Sequence, residues 1–222
     1  MVPRESFDRD LRQLQKQLLV LGETVDEAIA KSIDALAERD LALAQKLVAD
    51  DALINKARYK IEERCLELIA TQQPTASDLR LIIAVLHIST ELERMADHAE
   101  GIAKINLMMG EEPLLKPLID IPRMAQKARD MLKQSLKAFV EHDAAEAERI
   151  CGEDDEVDAL YDQVYRELLI FMLQDPRTIT RATHLIWVAH NLERIADRVT
   201  NICERIIFWV TGELKEIKVS KY

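Results

Sequence analysis

The hexapeptide Leu-Glu-Arg-Met-Ala-Asp at residues 92–97 returns as Leu-Glu-Arg-Ile-Ala-Asp at residues 192–197. Each copy sets two carboxylates four positions apart, Glu93 with Asp97 and Glu193 with Asp197. On a helix this spacing puts both acids on one face. They flank an apolar stripe made of Leu92, Met95, Ala96, Ala99, Ile102 and Ala103 in the first copy and of Leu192, Ile195, Ala196, Val199, Ile202 and Cys203 in the second. Glu100 prolongs the first row, and Glu204 lies further along the second. Carboxylate oxygens in rows suit hard cations such as Fe(III), Mn, Mg or Ca, and a facing acidic row would let them bridge several ions. The bland alternative is a salt-bridge face closed by Arg94, Arg194 or nearby lysines. Water tolerates that face, since like charges at i, i+4 on an exposed helix cost only about 0.2–0.5 kcal/mol. In a partly dry groove each unpaired ion costs several kcal/mol, and a cation must neutralise it.

Other chemistry finds little footing. A ferritin-like di-iron oxidase needs Glu three positions before His, but the five histidines have Ala84, Met95, Phe139, Arg181 and Trp187 there. Asp97 is followed by His98, an outer ligand or an interfacial histidine. The chain has no Gly-rich phosphate loop, GxSxG or HExxH, so phosphate has no evident bed. Cys65, Cys151 and Cys203 lack CxxC spacing and read as reduced packing residues. Trp187 and Trp209 read as core or interface anchors. The run Glu153-Asp154-Asp155-Glu156 reads as a solvated helix start.

The elements that must carry these rows are helices. In 222 residues there are only 5 Gly and 6 Pro, and 48% hydrophobic content supplies a sizeable core. A net charge of −10 argues against a nucleic-acid partner, which needs clustered Lys and Arg. No apolar run approaches the roughly 20 residues that span a bilayer, and the N-terminus is charged where a signal peptide needs apolar residues. The expectation is a cytoplasmic protein whose membrane contact runs through protein partners.

From Phe7 the stripe Leu11, Leu14, Leu18, Leu21, Val25, Ile29, Ile33 and Leu36 predicts one long helix, with Gly22 a tolerated weak point. Asp40 is a good N-cap for a second helix reaching about Thr71, with a kink expected near Asp50-Asp51. Gln72-Gln73-Pro74 ends it. Thr75 with Asp78 has the form of a capping box for a third helix from about Ser77 to Met109. Three prolines and a glycine between Gly110 and Pro122 mark the clearest boundary.

The plan then restarts. Leu36, Glu38, Asp40, Ala44, Asp51 and Ile54 have counterparts 103 positions later in Phe139, Glu141, Asp143, Ala147, Asp154 and Val157, and for the last helix the offset falls to 100. We therefore expect an all-α fold of two tandem three-helix bundles related by pseudo-two-fold symmetry. The expected division is a first repeat over 1–110, a linker over 111–122, a second repeat over 123–213 and a tail over 214–222.

The two repeats, with QPTASDLR at 73–80, ELERMADHA at 91–99, DPRTITRA at 175–182, NLERIAD at 191–197 and TNICERIIFWVTGE at 200–213, closely resemble the PhoU family of phosphate-transport and phosphate-signalling regulators. The similarity runs from about Phe7 to Glu213. It implies a non-enzymatic, cytoplasmic, commonly homodimeric negative regulator of phosphate transport and the phosphate-starvation response. The implied partners are the ATPase of the phosphate ABC transporter and a phosphate-sensing membrane histidine kinase. The family's acidic motif maps onto Glu93 with Asp97 and Glu193 with Asp197. It implies bound metal there, multinuclear iron in some members, with Zn, Mn, Mg and Ca as alternatives. The family often has Gly where this chain has Ala96 and Ala196, and the added methyl bears on how closely a neighbouring helix approaches. Asp26, Asp51 and Asp154 are candidate facing ligands or ordinary caps and solvated charges. The rivals are a metal-free helical interaction protein and a carboxylate-metal enzyme.

Overall fold

The computed structural model describes residues 3–214, and within them every regular element is helical. Apart from Leu214, the expected tail lies outside the described residues. The first bundle is α1 (Pro3–Glu38), α2 (Leu41–Gln72) and α3 (Ala76–Met109). The second is α4 (Asp120–Glu141), α5 (Ala144–Cys151), α6 (Asp154–Gln174), a 3-10 turn at Pro176–Thr178, and α7 (Ile179–Thr211).

The helix signals act largely as written. Asp40 caps α2 by accepting from Leu43 N at 2.8 Å, and its counterpart Asp143 caps α5 by accepting from Glu146 N at 2.9 Å. Gln73 takes the left-handed conformation that stops α2. The capping box at Thr75 does not form. Thr75 accepts from Asp78 N through its backbone carbonyl, while the Asp78 side chain goes to Arg4 at 2.7 Å. An arginine across the bundle outcompeted the local cap. Helix α2 runs without interruption past Asp50-Asp51, whereas at the equivalent place in the second copy Gly152 and Glu153 separate α5 from α6. Helix α4 starts at Asp120, ahead of the boundary at Pro122, because a proline is accepted in the first turn of a helix.

The α1 stripe is buried throughout, as are both stripes flanking the acidic rows. They form one core that continues from bundle to bundle. The seam between the bundles is the antiparallel pair α3 and α7, supported by α1 against α4. Its polar contacts obey the two-fold. His98 Nδ1 donates to Asn191 Oδ1 at 3.0 Å, and the positions equivalent to these two are Arg198 and Glu91, which pair at 3.3 Å. Between α1 and α4 the counterparts Asp26 and Arg129 meet each other directly, at 2.8 and 3.0 Å. A residue meets its own counterpart only beside the axis. Gly22 has a reason here: Leu136 of α4 occupies the space a side chain would need.

Candidate functional site

Helices α3 and α7 present the repeated acids to α2 and α6, so each bundle holds an acidic patch between its second and last helices. In the first bundle, Glu93 and Asp97 face Asp51 of α2, with Glu100 nearby. Burial pushes the Asp51 carboxyl up, and Glu100 and Asp97 add to it. One Asp51 oxygen accepts from Asn55 Nδ2 at 2.8 Å; the other is buried without a partner. Burial also raises Glu93, and Asp97 reinforces it. Arg58 and Arg94 oppose the rise, Arg58 lying 3.9 Å from Glu93 Oε1. Arg58 is itself held, paired with Glu62 and lying 4.1 Å from the centroid of the Tyr59 ring. A cavity of about 170 Å³ beside this patch is lined by Asp50, Asp51, Ala96, Ala99 and Glu100 among others.

The second patch is drier and more acidic. Asp154, at the N-terminus of α6, is only 1% exposed, and one of its oxygens has no partner. Burial pushes its carboxyl up to about 7, with Asp158, Asp197 and Glu193 adding repulsion. Glu193 also rises to about 7, through burial first and Asp197 second. Burial raises Asp158 and Asp197 as well. Arg194 lies 3.0 Å from Glu193 Oε2 and 2.9 Å from Asp197 Oδ2. Glu193 Oε2 nonetheless lacks a hydrogen bond, because neither Arg194 Nε nor His190 Nδ1, 3.3 Å away, is correctly angled. Tyr161 stands at the position equivalent to Arg58, and a cavity of about 250 Å³ opens there between Asp158, Tyr161, Asp162, Tyr165 and Glu193.

Of the candidate facing ligands, Asp51 and Asp154 do face the repeated acids, whereas Asp26 belongs to the seam. The run 153–156 is therefore no simple solvated start: Asp154 is buried while Asp155 and Glu156 are exposed. His98 is the interfacial histidine, bonded across the seam. Trp209 is buried against Phe139, whereas Trp187 is 45% exposed. All three cysteines are free and buried. Sequence reasoning missed Asp158, Arg58 and Tyr161. Asp158 was detectable as the i+4 partner of Asp154.

The donor chemistry suits a hard cation, since buried carboxylate oxygens without partners are what such an ion would relieve. As they stand, however, no three or more His, Cys, Asp or Glu side chains among the described residues form a group that could hold a metal ion. Arg58 and Arg194 now supply the positive charge, so a metal would require those acids to turn from their arginines.

Comparison with known proteins returns one family. The model of the PhoU domain matches twice, over residues 18–105 and 121–206, one match for each bundle. A phosphate-specific transport system accessory protein PhoU homolog from Aquifex aeolicus is 39% identical over 206 residues, covering 93% of both chains. Its counterpart from Caulobacter vibrioides is 40% identical over 210 residues, 94% of this chain and 91% of the relative. The crystal structure of the phosphate transport system regulatory protein PhoU from Streptococcus pneumoniae superposes with a TM-score of 0.88 at 35% identity, covering 95% of this chain and all of that one. PhoU from Pseudomonas aeruginosa gives the same TM-score at 33% identity, covering 93% of this chain and all of that one.

Proposed function

This chain belongs to the PhoU family, and on that premise we propose that it is a non-enzymatic negative regulator of phosphate transport and phosphate-starvation signalling. It acts as an adaptor at the cytoplasmic side of the membrane, between the ATPase of a phosphate ABC transporter and a phosphate-sensing histidine kinase. The observation that carries this reading is the family match over both bundles, with relatives named as accessory proteins of phosphate-specific transport. No helix among the described residues is long and apolar enough to cross a membrane, so any hold on a transporter is through protein surface. Affinity capture from phosphate-replete and phosphate-starved cells tests it. We expect recovery of a transporter ATPase and a sensor kinase; recovery of neither under both conditions removes the adaptor role. The homodimer belongs to the same proposal and is checked by sedimentation equilibrium.

The acidic patches are proposed as cation sites: Glu93 and Asp97 with Asp51, and Glu193 and Asp197 with Asp154 and Asp158. Their support is the set of buried oxygens on Asp51, Asp154 and Glu193 that make no hydrogen bond, although the last is ion-paired with Arg194. A bound cation, multinuclear iron or a Zn, Mn, Mg or Ca ion, would neutralise charge that burial now makes costly. It would also tie α2 to α3 and α6 to α7. One observation favours a second reading, a metal-free salt-bridge face: Arg58 already reaches Glu93, and Arg194 reaches both Glu193 and Asp197. Metal content of the purified protein separates the two.

A further inference from the structure

A third cavity, of about 440 Å³, lies remote from both acidic patches, where the N-terminal part of α1 meets the start of α3 and the ends of α4 and α7. Arg12, Arg80 and His142 line it, with Gln15, Ser77 and Trp209. Two carboxylates also face it, Asp8 and Asp78, but Arg4 engages both, at 2.9 and 2.7 Å. Arg12 and Arg80 are thus left with no carboxylate partner among the described residues. In a chain with 40 acidic and 30 basic residues, two arginines on one cavity with no carboxylate partner among the described residues stand out.

The cavity wall is also pre-arranged. Arg80 donates its Nε–H to the Trp209 carbonyl at 3.4 Å, which commits that edge and leaves its terminal nitrogens free to act as donors. Gly212, in the left-handed conformation at φ 81° that ends α7, packs against the Arg80 guanidinium. His142 stands edge-on to the Trp209 ring with centroids 4.4 Å apart, so its imidazole is held at the wall. Ser77 and Gln15 add neutral donors.

We propose that this cavity binds a phosphate group, either inorganic phosphate or a phosphate monoester, with Arg12 and Arg80 as its charged donors. Guanidinium groups match phosphate oxygens in geometry and charge. Two of them beside an imidazole balance a dianion better than a single carboxylate. The glycine-rich signature is absent because side chains from separate helices make the bed. The proposal does not depend on metal in the acidic patches.

The test is isothermal titration of the full chain with inorganic phosphate, phenyl phosphate, sulfate and acetate, at low salt and with EDTA to remove metal-borne phosphate. Arg12→Gln, Arg80→Gln and the surface control Arg166→Gln are titrated alongside. We expect saturable binding of the phosphates, weaker by at least about tenfold in each cavity variant and unchanged in the control. The ratio of inorganic phosphate to phenyl phosphate affinity then identifies the source of the phosphate group. Absence of saturable phosphate binding overturns the proposal, as do equal affinities in all variants or acetate binding as tightly as phosphate. Arg12 is exposed, so its variant should fold, and circular dichroism confirms this.

Discussion

The two acidic patches share a plan but differ at two pairs of equivalent positions: α2 carries Asn55 and Arg58 where α6 carries Asp158 and Tyr161. In the first bundle that cation reaches Glu93, and Asn55 donates to Asp51. In the second, Asp158 replaces the asparagine and a phenol replaces the guanidinium; Arg194 pairs with Glu193 and Asp197, and Asp154 is surrounded by acids alone. Deeper burial first, and this exchange of charges second, hold Asp154 and Glu193 near 7, while the smaller shifts at Asp51 and Glu93 are also tempered by Asn55 or arginine. Internal duplication preserved geometry and let charge diverge.

The largest test of that difference is metal content. If the proposed cation sites hold metal, replacing Glu193 and Asp197 together by Ala should remove it from the second patch and leave the first filled; the Glu93 and Asp97 double variant should do the reverse, because the two sets of proposed ligands are separate. Mass-spectrometric metal counting on wild type and both variants checks it, and equal counts end the ligand assignment.

Next comes pH. Asp154 and Glu193 keep their protons to about pH 7 in the metal-free folded chain, whereas unfolded carboxyls lose theirs near pH 4. The native state therefore binds more protons across that window, and stability falls as pH rises from about 4 to 7, then levels. Asp154→Asn should stabilise the metal-free protein by on the order of 2 kcal/mol at pH 8 and have little effect at pH 3. Asp51→Asn should gain less. Urea midpoints of both variants across pH 3–8 measure this, and identical profiles would erase the contrast between the patches.

A smaller contrast is Arg58→Ala against Tyr161→Phe. The first removes the arginine paired with Glu62 and one of the two that offset Glu93, and should cost about 1–2 kcal/mol, while the second should stay within about 0.5 kcal/mol. Denaturant unfolding at pH 7.5 compares them. The smallest effect concerns the caps. Asp40→Ala and Asp143→Ala should each cost about 1 kcal/mol, and Thr75→Ala only a few tenths, because the Thr75 side chain makes no cap bond. Thermal melts resolve that order.

Much of this protein was readable in one dimension. The apolar stripes, the aspartate caps at Asp40 and Asp143, the turn at Gln73 and the duplication at offsets of 103 and 100 are local or periodic features, and backbone hydrogen bonding enforces local patterns wherever the chain lies. They were enough to place Glu93, Asp97, Glu193 and Asp197 beside buried stripes and to reveal the family. Tertiary structure alone decided what faces those acids. Helices of 32 to 34 residues can turn about their axes and slide in register, and a small change in either exchanges one facing side chain for another. Packing thus set Arg58 against Glu93, sent Asp26 to Arg129 at the seam and drew Asp78 away from its cap to Arg4. It also buried Asp154 within a run that looked solvated, and it gathered Arg12, Arg80 and His142 from three helix ends onto one cavity. Burial and charge pairing are properties of neighbours brought together by folding, and residues 35 or more positions apart carry no local signal that they will meet.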